Sequence, residues 1–232
     1  MYNYERNQVW ECYTFARRMI GNHNPDMIMP RTDAEIFRDD FRGKLGEVAV
    51  RNYVRNIMPE ASIDGEIDFE TMPRGEWDRT DIVINDKHVS VKSIKGNSRF
   101  LLIEAGRYNE DGSASYRNHD GSEIRTDLYA LVKVDITPEI TEEAMGFQNV
   151  REFWEAGYTV RYEVLGGITH DDFWEHKHFA PAGIRCSVAN LEAVCLGEEV
   201  EPGDGERLNE TLQVDNYVID SQRELVPLNE LL

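Results

Sequence analysis

Asp81 and Lys92 stand eleven positions apart in the stretch "DIVINDKHVSVKS", with Ser90 and Val91 just ahead of the lysine. A carboxylate and an ammonium gathered on one surface are a set for metal-assisted hydrolysis. A carboxylate there binds Mg2+, and a lysine orients or deprotonates the attacking water. The transition state of such a reaction gathers charge that a bound cation neutralises.

Whether the two residues meet depends on the strands that carry them. "DIVIN" and "HVSVKS" read as two strands joined by a tight turn near Asn85-Asp86. Side chains alternate along a strand. A pairing that sets Asp81 opposite Ser90 or Lys92 therefore collects Asp81, Val83, Ser90 and Lys92 on one face. Ile82, Ile84, Val89 and Val91 take the other, and that face is wholly apolar, which supports the register. Upstream, Thr32 and Glu35 form a capping box before a long helix over 33–57, with Phe37, Phe41, Leu45 and Val48 on one stripe. Gly43 and Gly46 let another backbone approach that helix closely. An earlier helix spans 4–20 on the stripe Val9, Tyr13, Ala16 and Ile20. Strands are expected at 62–69, at 127–134, in "YTVRYEVLGGI" and near "DNYVID", and short helices in "VREFWEAG" and "DDFWEHKH". This order predicts an α/β (α+β) domain built on a central mixed β-sheet flanked by helices.

The pattern resembles the PD-(D/E)XK nuclease superfamily, in which an aspartate begins one strand and an acidic-x-Lys triplet lies on the next. The matching residues are Thr80-Asp81 and Ser90-Val91-Lys92; the proline is absent, and Ser90 stands where the acidic residue is expected. The resemblance covers residues 33–135. It implies a restriction-endonuclease-like core there, with 136–232 completing a single domain and serving DNA recognition or dimerisation. It implies that Asp81 binds the metal with the Val91 carbonyl, that Lys92 positions the water and that Ser90 lines the site. Glu47, in "GKLGEVAVRNYV", matches the helix glutamate that many members turn toward the metal. Glu104, in "SRFLLIE" and twelve positions after Lys92, matches restriction enzymes with a Ser-x-Lys triplet and a downstream glutamate. The implied activity is a Mg2+-dependent endonuclease on double-stranded DNA, most like a type II restriction enzyme acting as a homodimer. A structure-selective or repair nuclease, such as a junction resolvase, is the alternative within the fold. A catalytically inactive acidic binding module or DNA mimic is the alternative outside it.

Lys95, Asn97, Ser98 and Arg99 in "KSIKGNSR" suit phosphate contacts, and a solvated loop is an equal reading. The segment 107–125 reads as an extended arm that offers Arg117, Asn118 or Arg125 to base edges, although its acidic residues favour a surface insertion. The formal charge of -19 opposes contact with a polyanion. Three readings fit it: adaptation to high salt, with 6 lysines against 19 arginines; an acidic mass remote from a basic groove; or mimicry of DNA. His170, His176 and His178, with Cys186 and Cys195, match no tetrahedral zinc spacing. Capping by Thr169 or His170, with Phe173 and Trp174 in the core, is the favoured reading there. Cys12, Cys186 and Cys195 are too scattered for a disulfide framework and read as small buried hydrophobes. No G-x-S-x-G element or Gly-rich phosphate loop occurs. No run reaches the length of a membrane span, and "MYNYERNQVWECY" lacks the marks of a signal peptide, so a cytoplasmic location is expected.

Overall fold

The computed structural model describes residues 1–21, 32–64, 67, 69, 81–115, 125–201 and 211–232. The chain opens with a two-residue strand β1 (Tyr2–Asn3) and helix α1 (Arg6–Met19), followed by the long helix α2 (Asp33–Ile57). The capping box at the head of α2 is present. The Glu35 amide donates to Thr32 Oγ1 at 3.2 Å, and the Thr32 amide donates to Glu35 Oε2 at 2.8 Å. Then come β2 (Ile63–Asp64), β3 (Ile82–Ile84), β4 (Lys87–Ile94), β5 (Phe100–Glu104) and β6 (Leu128–Thr137). Helix α3 (Val150–Glu155), β7 (Thr159–Thr169), α4 (His170–His176), β8 (His178–Ala180) and α5 (Val188–Cys195) follow. The chain closes with β9 (Asn216–Asp220), α6 (Ser221–Glu224) and α7 (Leu228–Leu231).

The first sheet has six strands in the order β1-β7-β6-β4-β3-β2. Only the β4–β6 pair is parallel, so the sheet is mixed, and helices flank it. A second, antiparallel sheet runs β5-β9-β8. The expected α/β class with a mixed sheet is therefore present. Three cores separate the layers. Ile82, Ile84, Val89 and Val91 join Leu128, Ala130, Val132 and Val134 on the first face of the large sheet, under Tyr13, Phe37, Phe41 and Val48 of α1 and α2. On the second face, Tyr129, Leu131 and Ile168 pack against Leu101, Ile103 and Ile219 of the small sheet and Phe173 of α4. Phe100, Ala180 and Val218 turn to the far side of the small sheet, against Leu191 and Val194 of α5.

Some expectations need correction. The strand expected at 62–69 is limited to Ile63–Asp64, with 65, 66 and 68 outside the described residues. Gly46 does lie close to a strand: a methyl group there would meet Ser93 Oγ at 2.1 Å and Val91 Cγ1 at 3.3 Å. Gly43 faces open space instead, with nothing within 4 Å. Strand β5 carries no alternation because it is apolar on both sides, Phe100 in one core and Leu101 and Ile103 in another. Cys12 and Cys195 are buried as read, whereas Cys186 is exposed.

Candidate active site

The β3–β4 hairpin sets the geometry. Asn85 and Asp86 both have positive φ, 48° and 62°, the pair that a two-residue type I′ turn requires and that Asn and Asp tolerate. That turn fixes the register Ile82↔Val89, Val83↔His88 and Ile84↔Lys87. One step further along, Asp81 falls opposite Ser90. The hydrogen bonds agree: Ser90 Oγ donates to Asp81 Oδ2 at 3.3 Å, and the Val91 amide donates to the same oxygen. The Asp81 carboxylate is thus held by two donors from β4, and its Oδ1 accepts from none of the described residues. The N–H and C=O of a strand residue leave on one side. The Val91 carbonyl therefore looks to the β3 side, where Asp81 stands.

Lys92 is the next residue on the Ser90 face, and β4 carries it into the middle of the sheet, beside Leu131 of β6. It is half-buried, and among the described residues its ammonium has no hydrogen-bond or ion-pair partner. Val91 and Ser93 point the other way, to α2. The alternation read from the sequence is thus the one observed, with Asp81, Ser90 and Lys92 on the second face of the sheet.

The structure does not bring the other two carboxylates to this face. Glu47 follows Gly46, and one helical step of 100° turns it away from β4 toward α1. There it is buried and paired with Lys44, whose Nζ lies 2.8 Å from Glu47 Oε2 and 4.7 Å from the Phe15 ring centre. Its position beside α1 also registers at Cys12, where burial first and the Glu47 charge next push the thiol far above its ordinary value. Glu104 ends β5 on the same side as Phe100 and Leu102, away from the Leu101–Ile103 core, and pairs with Arg107. Among the described residues, no three His, Cys, Asp or Glu side chains come together as a metal-holding group.

The residues expected to meet DNA divide in the same way. Lys95 and Asn97 are exposed in the β4–β5 turn, and Ser98 is half-buried there. Arg99 is engaged elsewhere. Its Nε lies 3.0 Å from both oxygens of Asp220, and one terminal nitrogen lies 2.9 Å from Glu192. Those two carboxylates use its charge to join the small sheet to α5 and α6. Arg125 is exposed and pairs with Asp127 at 2.8 Å. Arg117 and Asn118 lie outside the described residues.

Packing and hydrogen bonds place His170 and its helix. Thr169 caps α4, accepting from the Asp172 amide at 3.1 Å, and Phe173 is fully buried. His170 Nδ1 sits 3.1 Å from the Tyr129 hydroxyl, which also meets the Tyr108 hydroxyl at 3.3 Å. His170 stacks on Trp174 at 5.4 Å. Sequence reading missed this polar-aromatic set, because its members come from three separate segments of the chain, around Tyr108, on β6 and on α4. No protein-family model matches the chain, and comparison with curated proteins and with solved structures gave no match.

Proposed function

We propose that the protein is a Mg2+-dependent endonuclease that hydrolyses phosphodiester bonds of double-stranded DNA, in the manner of the PD-(D/E)XK enzymes and most like a type II restriction enzyme acting as a homodimer. The observation that carries this reading is the Asp81–Ser90–Lys92 face. A strand-end carboxylate is fixed by a hydroxyl and an amide, and a lysine without a partner among the described residues follows on the next strand. An aspartate opening one strand and an x-Lys pair on its neighbour is the arrangement that the resemblance implies.

The donors present fit a magnesium ion sparingly. Asp81 Oδ1 and the Val91 carbonyl would hold it, and such ions are commonly bound by one or two carboxylates, several waters and substrate phosphate. The ion supplies Lewis-acid stabilisation of the phosphate and a more acidic water. The chain supplies the rest. Ser90 and the Val91 amide keep the Asp81 carboxylate in one orientation. Lys92 places the attacking water by hydrogen bonding and lowers the cost of negative charge on the phosphate. Glu47 and Glu104 have no part in this scheme, because each is committed to a basic neighbour on another surface.

A second reading is favoured by one observation: among the described residues of a chain with formal charge -19, no three His, Cys, Asp or Glu side chains gather as a metal-holding group. It is an inactive acidic module that binds a basic partner protein. Incubation of the purified protein with unmethylated plasmid and phage DNA, with Mg2+ or EDTA and at low and high salt, separates the two. Discrete fragments that require Mg2+ and vanish in Asp81→Ala and Lys92→Ala support the nuclease. Intact DNA under every condition supports the acidic module.

A further inference from the structure

Lys133 is the half-buried neighbour of the site that the sequence reading passed over. In the parallel β4–β6 pair, Lys92 lies beside Leu131 and Ile94 beside Lys133. Val132 and Val134 belong to the first-face core with Val89 and Val91, so Lys133 falls on the second face, as Lys92 does. The two lysines are diagonal neighbours on adjacent strands, roughly 7–8 Å apart, a span that long side chains bridge.

Neither ammonium has a hydrogen-bond or ion-pair partner among the described residues. This is notable for a chain with 44 acidic residues and 6 lysines. The other half-buried or buried lysines are engaged: Lys44 with Glu47, Lys87 with the Leu231 carbonyl, and Lys177 with the Trp174 carbonyl. Glu163 stands opposite Lys133 on β7, yet no ion pair joins them. Two like charges on one face, both partly withdrawn from water, repel each other, and among the described residues the carboxylates on that face, Asp81 and Glu163, form no ion pair with either.

We propose that Lys92 and Lys133 together form a two-ammonium seat for a phosphate group, with Lys133 a positioning residue that holds the substrate backbone beside Lys92. The inference rests on the nuclease reading for its substrate, a phosphodiester, but the seat is a property of the two strands alone. A phosphate oxygen held by both ammoniums gains charge-assisted hydrogen bonds that one lysine cannot supply.

The test is titration of the protein with inorganic phosphate in EDTA, followed by 31P NMR, for wild type, Lys92→Ala, Lys133→Ala and Lys133→Arg. Far-ultraviolet circular dichroism reports that each variant is folded. Loss of one charged partner is expected to weaken phosphate binding about tenfold, and Lys133→Arg is expected to recover most of it. Wild-type protein that does not bind phosphate, or Lys133→Ala binding as wild type does, would overturn the seat. Plasmid cleavage measured in parallel separates the two ideas. Phosphate binding that depends on both lysines in a protein that never cuts keeps the seat and removes the nuclease. Cleavage and phosphate binding both unchanged by Lys133→Ala remove the seat and keep the nuclease.

Discussion

Gly46→Ala tests how tightly α2 presses on the strand that carries Lys92. An added methyl would lie 2.1 Å from Ser93 Oγ, 3.3 Å from Val91 Cγ1 and 3.4 Å from Ser93 Cβ. The first distance is impossible, so the serine must rotate or β4 must shift. Overpacking of this kind costs about 1–3 kcal/mol. The helix gains about 1 kcal/mol from replacing an interior glycine by alanine. The net expectation is a loss of about 1 kcal/mol, or about 2–4 °C in Tm for a chain of this size. In a Ser93→Ala background the clashing oxygen is gone, along with a buried hydroxyl that has no hydrogen-bond partner. The remaining contacts, at 3.3 and 3.4 Å, are tight but tolerable. There the helix gain should dominate, and Gly46→Ala should become neutral or stabilising. Urea denaturation of the four proteins of this cycle gives the coupling energy, expected at about 1–2 kcal/mol. Stabilisation by Gly46→Ala in the wild-type background, or zero coupling, would refute the close approach.

Other expectations concern the surrounding framework. Arg99→Ala should lower the urea midpoint, because it takes the main cation from the buried Asp220 carboxylate. Tyr129→Phe should cost about 1 kcal/mol, since the hydroxyl meets both Tyr108 and His170 and its removal takes one hydrogen bond from each. A thiol reagent near pH 8 should react with the exposed Cys186 before the buried Cys12 and Cys195, which wait until urea is added, and its rate should rise with pH because burial raises the Cys186 thiol as well. Burial pushes the Cys195 thiol up to about 11 from an ordinary 9.0. Its folded pKa is raised, so the stability it contributes is complete below about pH 9 and is lost as pH rises toward about 11. Under reducing conditions, Cys195→Ala should show a smaller fall in urea midpoint across that window than wild type.

The hairpin was legible in the sequence because its signals are local. Asn85-Asp86 names the turn, and the apolar set Ile82, Ile84, Val89 and Val91 fixes which face Asp81 and Lys92 share. Thr32 and Glu35 marked the head of α2 for the same reason. The partners of Glu47 and Glu104 were not legible. Helical spacing put Glu47 at the shoulder of the apolar stripe, but which neighbour that shoulder faces depends on where α1 packs. Lys44, three residues earlier, was the nearest clue. Arg107 stood equally near Glu104. The small sheet stayed hidden because β5, β8 and β9 are far apart in the chain, and strands buried on both faces lose their alternation. Lys133 was passed over because its significance lies in a parallel pairing between strands thirty-odd residues apart.

In the function proposed above, chemistry belongs to the second face of the β3–β4 hairpin, at Asp81 and Lys92, and not to the α1–α2 surface that holds Glu47. Single-turnover cleavage of a duplex substrate with Mg2+ by Lys92→Ala, Asp81→Asn and Glu47→Gln, each first shown to be folded, tests it most directly. The first two are expected to lose about a hundredfold or more in rate, while Glu47→Gln cuts at close to the wild-type rate. Full cleavage by Lys92→Ala together with an inactive, folded Glu47→Gln would contradict it.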